Sequence, residues 1–235
     1  KKLLKNRDNN ISICYNNRAV MYIALFVMFS SLLYPKILLD VDQKCIWVKR
    51  ESIIDTTSID SMISFVQDNN LDKIFFQVRG RGDAMYESQI VPKYEHLDSL
   101  FDPLNYVIEK TKDTNIEVHA WFNAYILWSK NYPPRNENHL YHTCPECLAT
   151  DLNGKNDKDI KLNQNHSLSW EGIYLAPTHP EVNSHLFLVI DELLKTYNLD
   201  GIHLDYIRYQ DIFYGYNFHG INTFKQKYQF NPKDI

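Results

Sequence analysis

From residue 44 onward, short apolar runs alternate with segments whose apolar residues recur at helical spacing. The apolar runs predict strands, and the periodic segments predict helices between them. The predicted strands are residues 44–49, 73–79, 116–122 and 200–205. Capping residues and a proline help to place the first turns of the helices. The first helix is predicted from Thr57 or Ser58 to about residue 69, and the second from Asp102-Pro103 to about residue 113. Two further helices are predicted over residues 181–197 and 218–228.

Four alternations of strand and helix predict an α/β fold with a parallel sheet. The strands are apolar almost throughout, which is typical of strands buried on both faces. We interpret the pattern as a TIM (β/α)8 barrel with only about the first four β/α units present. A whole barrel typically needs about 250 residues, so truncation at the C-terminus is expected. The alternative is an open doubly wound sheet, but no glycine-rich phosphate loop follows the first strand.

The first 40 residues differ from the rest and predict a leader, which leaves residues 43–235 for the barrel. A basic segment precedes an uncharged run over residues 22–34. That run is shorter than the roughly 20 residues of a membrane helix and fits the apolar core of a signal peptide after a basic region, with Met21 as an alternative start of the protein. No small-residue cleavage site follows it, so a membrane anchor through residues 22–34 and a buried first helix are the alternatives. We expect an exported protein, located in the periplasm, at the cell surface or outside the cell.

Composition adds two constraints. The formal net charge is −4, so the chain lacks the basic surface that nucleic-acid binding requires. Aromatic residues make up 14% of the chain, and aromatic side chains suit the stacking of sugar rings, although they are also common in protein cores.

Two of the four cysteines lie in a long insertion over residues 129–172, a length that is usually functional or mobile. Cys144 and Cys147 follow His139 and His142, which suggests a zinc knuckle or a redox pair. Structural zinc is normally bound by two separated pairs of ligands, whereas these four residues form one compact run. We therefore predict no metal site and no cofactor.

Active-site residues of a β/α barrel lie at the C-terminal ends of its strands and in the loops that follow. Asp205 closes the fourth predicted strand and shares a strand face with His203. A buried carboxylate needs partners or a function; the alternative is that Asp205 only caps the next loop or pairs with Arg208. The same rule selects residues near the other strand ends: Arg79, Arg81, Asp83, Trp121, Asn123 and Tyr125.

Several of these polar residues have structural interpretations as well. Arg79 and Arg81 are as well suited to clamping Asp83 or Asp205 as to binding substrate. His119 is better explained as a hydrogen-bonded core histidine. Alternation places the polar strand residues on defined faces, with His119, Trp121 and Asn123 on one and Gln77 and Arg79 on another.

Glycoside hydrolysis normally uses two carboxyl groups that flank the scissile bond. Asp205 is the best first member of such a pair. The second member is predicted to be Asp83, Glu171 or a residue beyond Ile235.

The chain resembles the glycosyl-hydrolase-like 10 family of (β/α)8-barrel glycosidases. Four blocks carry the resemblance, in the order expected for the family. They are FQVRGRGDAMY at 76–86, EVHAWFN at 117–123, YLAPTHPEV at 174–182 and DGIHLDYIRY at 200–209.

The resemblance implies an exported glycosidase, often lipid-anchored, whose substrate is a β-linked or amino-sugar-containing glycan. Some relatives act on peptidoglycan glycan strands that lack their peptides. Asp205 matches the strand-four acid of related barrel glycosidases, and the resemblance implies that Arg79, Asp83, Asn123 and His203 line the cleft.

The chain departs from the family pattern in three places. Cys144-Pro-Glu-Cys147 stands where relatives usually have His-Pro-Glu-Trp, which argues further against zinc. Ala176 and Thr178 replace the more usual Asp and Gly, and Gln210 replaces a common Pro.

The favoured hypothesis is an exported glycoside hydrolase that acts on a cell-surface or cell-wall glycan, with Asp205 as nucleophile or electrostatic stabiliser. His203 would orient Asp205 or contact a sugar hydroxyl, and Trp121 and Tyr125 would stack on sugar rings. Asp83 is the third predicted catalytic residue, and Arg208 is a further predicted substrate ligand. The alternatives are a carbohydrate-binding barrel protein without activity and an inactive gene fragment.

Overall fold

The computed structural model describes residues 43–158 and 170–234. The predicted leader and the apolar run over residues 22–34 lie outside these residues. Within them, no helix combines the length and the apolar composition that crossing a membrane requires.

The described chain is an α/β fold in which strand and helix alternate. In chain order its elements are β1 (Cys45–Val48), α1 (Thr56–Asp68), β2 (Lys73–Arg79), α2 (Pro103–Thr111), β3 (Glu117–Asn123), β4 (Ile126–Trp128), α3 (Leu140–Thr143), β5 (Ile173–Tyr174), α4 (Pro180–Thr196), β6 (Gly201–Asp205) and α5 (Phe218–Tyr228). Short 3-10 turns follow β1 and α3, at Arg50–Ser52 and Pro145–Cys147.

The main sheet has four parallel strands in the order β1-β2-β3-β6. The four predicted strands, the parallel sheet and the four β/α units are therefore confirmed. The long insertion begins and ends beside a strand pair that the apolar pattern did not predict, because β4 and β5 are only three and two residues long.

The start of α1 differs from the prediction. Thr57 and Ser58 were predicted as caps, but the capping residue is Asp55, whose side chain accepts a hydrogen bond from Ser58 N. The Ser58 hydroxyl in turn contacts the backbone N–H of Asp55, so the two residues form a capping box. Aspartate three residues before serine was the sequence signal for this start.

One face of the sheet builds the hydrophobic core. Alternate residues of β2 and β3 point to this face and are almost completely buried: Ile74, Phe76, Val78, Val118, Ala120 and Phe122. The apolar sides of α1, α2 and α4 belong to the same core. This arrangement is the burial pattern expected for a parallel sheet covered by its crossover helices.

The opposite face of the sheet carries an aromatic and polar layer. Trp47 stacks on Phe75 with a centroid distance of 4.7 Å, and Phe75 lies 4.8 Å from the ring of His203. His119 belongs to this layer and contacts Glu117 Oε2 at 2.9 Å, as expected for a hydrogen-bonded core histidine. A Cβ atom at Gly201 would lie 2.4 Å from His119 Nδ1, so only glycine fits there.

The sheet is open at β1 and at β6 among the described residues. Leu204, which points to the core side of β6, is 40% exposed, and α4 exposes Phe187, Leu188 and Leu194. The corresponding side chains of β2 and β3 are buried, so the covering of the core is thinnest at the β6 edge.

Candidate active site

A cavity of about 230 Å³ lies where the parallel strands end. Each strand, or the loop after it, contributes to the wall: residues 49–51 after β1, Gln77 and Arg81 at β2, Trp121 and Asn123 on β3, and Tyr206 after β6. Ser129 and Lys130 complete the lining. Because all the strands are parallel, their C-terminal ends meet at this one edge, which is where barrel enzymes place their active sites.

Two hydrogen bonds hold the Asp205 carboxylate against Trp121 and Tyr206, which line the cavity, although Asp205 is not itself a lining residue. Trp121 Nε1 donates to Oδ2 at 3.1 Å, and the backbone N–H of Tyr206 donates to Oδ1 at 2.7 Å. The strand register explains the contact, because Trp121 pairs with His203 and Asn123 pairs with Asp205. Hydrogen bonds from an indole and a backbone amide stabilise a carboxylate and fix its direction.

The chain turns sharply after Asp205. Tyr206 has a φ of 54°, in the left-handed region that side-chain-bearing residues rarely adopt. The turn directs the backbone carbonyl oxygens of Asp205 and Tyr206 towards β3, where they accept hydrogen bonds from Ala124 N and Tyr125 N. Strain of this kind is common at functional sites.

His203 does not contact Asp205 within the described residues. Its Nε2 lies 3.5 Å from Trp47 Nε1, and its ring packs on Phe75 in the layer below. The predicted role of orienting Asp205 is filled by Trp121 and by the Tyr206 backbone.

Asp83 is buried in an ion pair that the sequence did not predict. Arg50 Nη1 contacts Asp83 Oδ1, and Arg81 N donates to the same oxygen at 2.9 Å. Burial raises the pKa of Asp83, but the charge of Arg50 and the Arg81 amide outweigh it and hold the pKa below its usual value. Asp83 does not line the cavity, whereas its partner Arg50 does.

A β-bulge redirects Arg79. Gln77 pairs with Trp121, whereas Arg79 pairs with Phe122, so two residue steps on β2 match one step on β3. Arg79 therefore points to the core side, where its guanidinium lies 5.2 Å from the Phe122 ring centroid and Nη1 donates to the carbonyl oxygens of Asn123 and Ala124. Strict alternation predicted otherwise, and bulges are the usual exception.

Because of this bulge, Arg79 is completely buried and does not line the cavity. It clamps the end of β3, and not Asp83 or Asp205. Burial lowers the pKa of Arg79 to about 10, and the residue remains charged at neutral pH.

Arg81 and Asn123 do line the cavity, as predicted. Arg81 Nε donates to Ser129 Oγ at 2.6 Å, and Asn123 Nδ2 donates to Gly80 O at 3.1 Å. The buried Asn123 Oδ1 has no hydrogen-bond partner among the described residues, which leaves an acceptor for a hydroxyl group of a ligand.

Tyr125 and Arg208 are not in the cavity wall. Tyr125 donates from its hydroxyl to Asn183 Oδ1 at 2.9 Å. Arg208 Nη2 contacts both carboxylate oxygens of Glu171, at 2.7 and 3.0 Å, and so does not pair with Asp205. Partial burial raises the pKa of Glu171, but hydrogen bonds from Tyr174 and Arg208 outweigh it and keep the pKa low.

His139, which lies in the long insertion, contacts the loop after β2 that carries Asp83. The Nδ1 atom of His139 accepts a hydrogen bond from Tyr141 N, so Nε2 carries the proton and donates to Arg81 O at 2.8 Å. Burial lowers the pKa of His139 to about 4, and the ring is neutral at physiological pH. Gly82, with φ of 80°, allows this approach, since a Cβ there would lie 2.8 Å from the His139 ring.

We expect His139 to make the fold sensitive to acid. The pKa of its ring lies below the ordinary 6.5, so the unfolded state takes up the proton first, and stability is lost as the pH falls from about 6.5 towards 4. Between pH 6.5 and 5 this single group should lower the free energy of unfolding by about 2 kcal/mol. Urea unfolding at several pH values measures the slope.

The matched control for this prediction is the half-exposed His96. His139→Asn should flatten the pH dependence, because asparagine can still cap α3 without titrating, whereas His96→Asn should leave it unchanged. Equal slopes in wild-type and His139→Asn protein would contradict the prediction.

Cys144 and Cys147 form a disulfide. The two histidines that the sequence placed beside them point elsewhere: His139 contacts Arg81 O, and His142 Nε2 lies 2.8 Å from Pro134 O. These four residues therefore do not form a zinc knuckle.

Charge in the cavity differs from that of the whole chain. The wall contains four basic residues, Lys49, Arg50, Arg81 and Lys130, and a single acidic one, Glu51, although the chain has a net charge of −4. Arg50 and Glu51 were not predicted as site residues, because they follow the short β1 strand without a motif. The rule that barrel sites lie at strand ends could have selected them.

A model of the family described as Glycosyl hydrolase-like 10 matches residues 41–234. The chain is 29% identical over 165 residues to Glycosyl hydrolase YngK of Bacillus subtilis (strain 168), which covers 68% of this chain and 28% of that protein. It is 25% identical over 164 residues to Glycosyl hydrolase DigH of Escherichia coli (strain K12), covering 67% and 34%. The chain thus spans about a third or less of these relatives.

Two solved structures share the fold. The α-L-fucosidase isoenzyme 2 of Paenibacillus thiaminolyticus matches with a TM-score of 0.58 at 18% identity, covering 80% of this chain and 26% of that one. A hypothetical protein from Ruminiclostridium thermocellum ATCC 27405 matches with a TM-score of 0.54 at 14% identity, covering 77% and 90%. At these identities the likeness concerns the fold alone.

Proposed function

Because the chain belongs to the glycosyl hydrolase-like 10 family, we propose that it forms part of a glycoside hydrolase that cleaves its glycan at the C-terminal ends of β1, β2, β3 and β6. The family implies a carbohydrate substrate. The observation that carries the proposal is the Asp205 carboxylate, which is fixed by hydrogen bonds from Trp121 and Tyr206, two residues that line the cavity at the strand ends.

In this proposal Asp205 acts on the anomeric carbon. Glycoside cleavage passes through a state with positive charge on the sugar ring, which a fixed carboxylate stabilises or attacks. Trp121 and the Tyr206 amide hold the carboxylate in place before the substrate arrives, so little reorganisation is needed during the reaction. The unpartnered Asn123 Oδ1 is available to a sugar hydroxyl.

Glu51 is the proposed partner of Asp205 within this chain. It is the one carboxylate in the described cavity wall, whereas Asp83 and Glu171 lie outside that wall. Its side chain is 55% exposed and contacts Arg50 Nε at 3.2 Å. Glu51→Gln should slow cleavage by about 100-fold. The control is Glu95→Gln, outside the cavity wall, which should cleave at the wild-type rate. Equal rates in Glu51→Gln and wild type would show that the catalytic acid is a residue elsewhere in the protein.

The basic wall supports an anionic glycan as substrate. Basic side chains outnumber acidic ones around this small cleft even though Arg50 is paired with Asp83, and an excess of cations attracts carboxylates and raises their local concentration. Glycan strands of peptidoglycan that lack their peptides carry a free carboxylate on every second sugar and fit this requirement. The uncharged run over residues 22–34 and a disulfide, which is typical of oxidising compartments, support an exported protein that meets such a glycan at the cell surface.

The test compares two glycans with similar backbones. Peptide-free peptidoglycan strands and neutral chitooligosaccharides are incubated with the protein, and the products are identified by mass spectrometry. We expect cleavage of the anionic strands, with at least about a tenfold preference that weakens at high salt. Absence of products from either glycan, in this chain and in a longer protein that contains it, would contradict the proposal.

A carbohydrate-binding protein without activity is the second candidate. The observation in its favour is that both carboxylates predicted to assist Asp205 are held in ion pairs. Calorimetry that detects glycan binding in the same samples, together with absence of products, would support this candidate over the hydrolase.

A further inference from the structure

We propose that Cys144, Cys147, Glu181 and His179 form a redox-gated site for a zinc ion, closed in the disulfide form and able to bind the metal in the dithiol form. No metal was predicted here, because the nearest histidines in the sequence are His139 and His142, and these form one compact run with the cysteines. The fold instead brings them to the N-terminus of α4, where other ligands stand.

Three of the proposed ligands form a close cluster, and His179 lies beside that cluster, next to Cys147. The ligand atoms of Cys144, Cys147 and Glu181 all lie within 4.8 Å of one another. Cys144 Sγ lies 3.9 Å from Glu181 Oε2, and Cys147 Sγ lies 3.8 Å from His179 Nδ1. Zinc bond lengths of about 2.3 Å to sulfur and about 2.0 Å to nitrogen or oxygen require edges of roughly 3.6 Å, close to both values.

His179 has the tautomer that a metal ligand needs. Its Nδ1 accepts a long hydrogen bond of 3.3 Å from Glu181 N, so the proton is on Nε2, and on metal binding the Nδ1 lone pair would exchange this helix cap for zinc. The ring is 2% exposed, and Nε2 has no hydrogen-bond partner among the described residues. The His219 ring, 4.3 Å away, supports His179 from the other side.

The cysteine turn is held in place by contacts that do not involve the disulfide. Ala176 N donates to Cys147 O at 2.7 Å, and the buried Asn217 Nδ2 donates to the carbonyl oxygens of Glu146 and Leu148 at 3.0 and 3.2 Å. Reduction should therefore open the S–S bond without releasing the turn, and the sulfurs need only separate to about 3.8 Å to bind one zinc ion.

The site opens by reduction of the disulfide and then binds zinc. A small dithiol transfers two electrons and two protons to the disulfide, which leaves two protein thiols and converts the reductant to its own disulfide. Zinc then displaces the two thiol protons into solvent. Two thiolates, one carboxylate and a neutral imidazole around Zn²⁺ leave a net charge of −1, which the N-terminus of the 17-residue α4 favours.

The test uses the whole chain with Cys14 and Cys45 replaced by serine, so that Cys144 and Cys147 are the sole thiols. The protein is reduced with dithiothreitol, desalted without oxygen, and titrated with Co²⁺ as a spectroscopic probe for zinc. We expect one equivalent to bind with the thiolate-to-cobalt charge-transfer band, Zn²⁺ to displace it, and the oxidised protein to show no such band.

Substitutions of two glutamates test whether the metal binds at the proposed site or only to the two thiols. Glu181→Gln should weaken binding by at least the roughly 10-fold that even an outer-shell change costs. Glu146→Gln is the matched control, because Glu146 lies between the cysteines but outside the ligand cluster, and it should stay within about twofold of wild type. Circular dichroism checks that each reduced sample keeps its fold.

Any of three results would overturn the proposal: no cobalt–thiolate band in the reduced protein, equal weakening by the two glutamine variants, or loss of the folded spectrum on reduction. The last would show that the disulfide, and not the surrounding hydrogen bonds, holds the turn.

Discussion

Asp205→Asn is expected to lower the rate of glycan cleavage by about 10³-fold while leaving the fold intact, since a fixed catalytic charge typically contributes two to four orders of magnitude. Asparagine has the same shape, and its Oδ1 can still accept the hydrogen bond from Trp121 or from Tyr206 N. Only the negative charge is lost. The expected loss is therefore in kcat, with KM changed by a few-fold at most.

The control for this result is Asp113→Asn, an exposed residue between α2 and β3, at the opposite end of the sheet. It should match wild type in rate. Product formation is followed with peptide-free peptidoglycan strands, and thermal melting confirms that both variants are folded. A rate for Asp205→Asn within about threefold of wild type would remove Asp205 from the chemistry, because loss of a catalytic charge has a far larger effect.

Among single substitutions near the cavity, Arg50→Met is expected to lower the free energy of unfolding the most. It removes the cation from the buried pair with Asp83 and leaves an uncompensated carboxylate in the interior. Breaking such a pair from one side typically costs about 3–5 kcal/mol. Equilibrium urea unfolding at pH 7, monitored by tryptophan fluorescence, measures the loss.

A double variant distinguishes the cost of an unpaired buried charge from the cost of altered packing. Arg50→Met combined with Asp83→Leu should recover most of the lost stability, because replacing both members of a buried pair by apolar residues is often neutral. Arg135→Met, at a side chain that is 74% exposed, should change the free energy of unfolding by less than about 0.5 kcal/mol. If Arg50→Met matched Arg135→Met, the Arg50–Asp83 pair would contribute nothing to the fold.

The strands and helices could be predicted because their signals are local. Apolar runs and helical periodicity located all four parallel strands and the longer helices within a residue or two. Asp205, Trp121 and Asn123 were also found, because the end of a parallel strand is a position that the chain itself marks.

The errors at the site share one physical cause, which is that long-range contacts leave no local signal. The bulge that turns Arg79 into the core depends on how β2 meets β3. The pairing of Asp83 with Arg50 joins residues 33 positions apart. Cys144 and Cys147 meet Glu181 rather than the nearby histidines, because the path of the insertion, and not the spacing of residues, decides their neighbours.

The distance along the chain between paired strands also bears on how the protein folds. Strands β1 and β2 are joined by contacts 28 residues apart, whereas β3 and β6 meet through a contact 82 residues apart. Closing the longer loop costs more entropy, and distant pairings form late. Asp205 should therefore reach Trp121 after β1 and β2 have paired, so that the catalytic geometry forms on a sheet that is already partly in place.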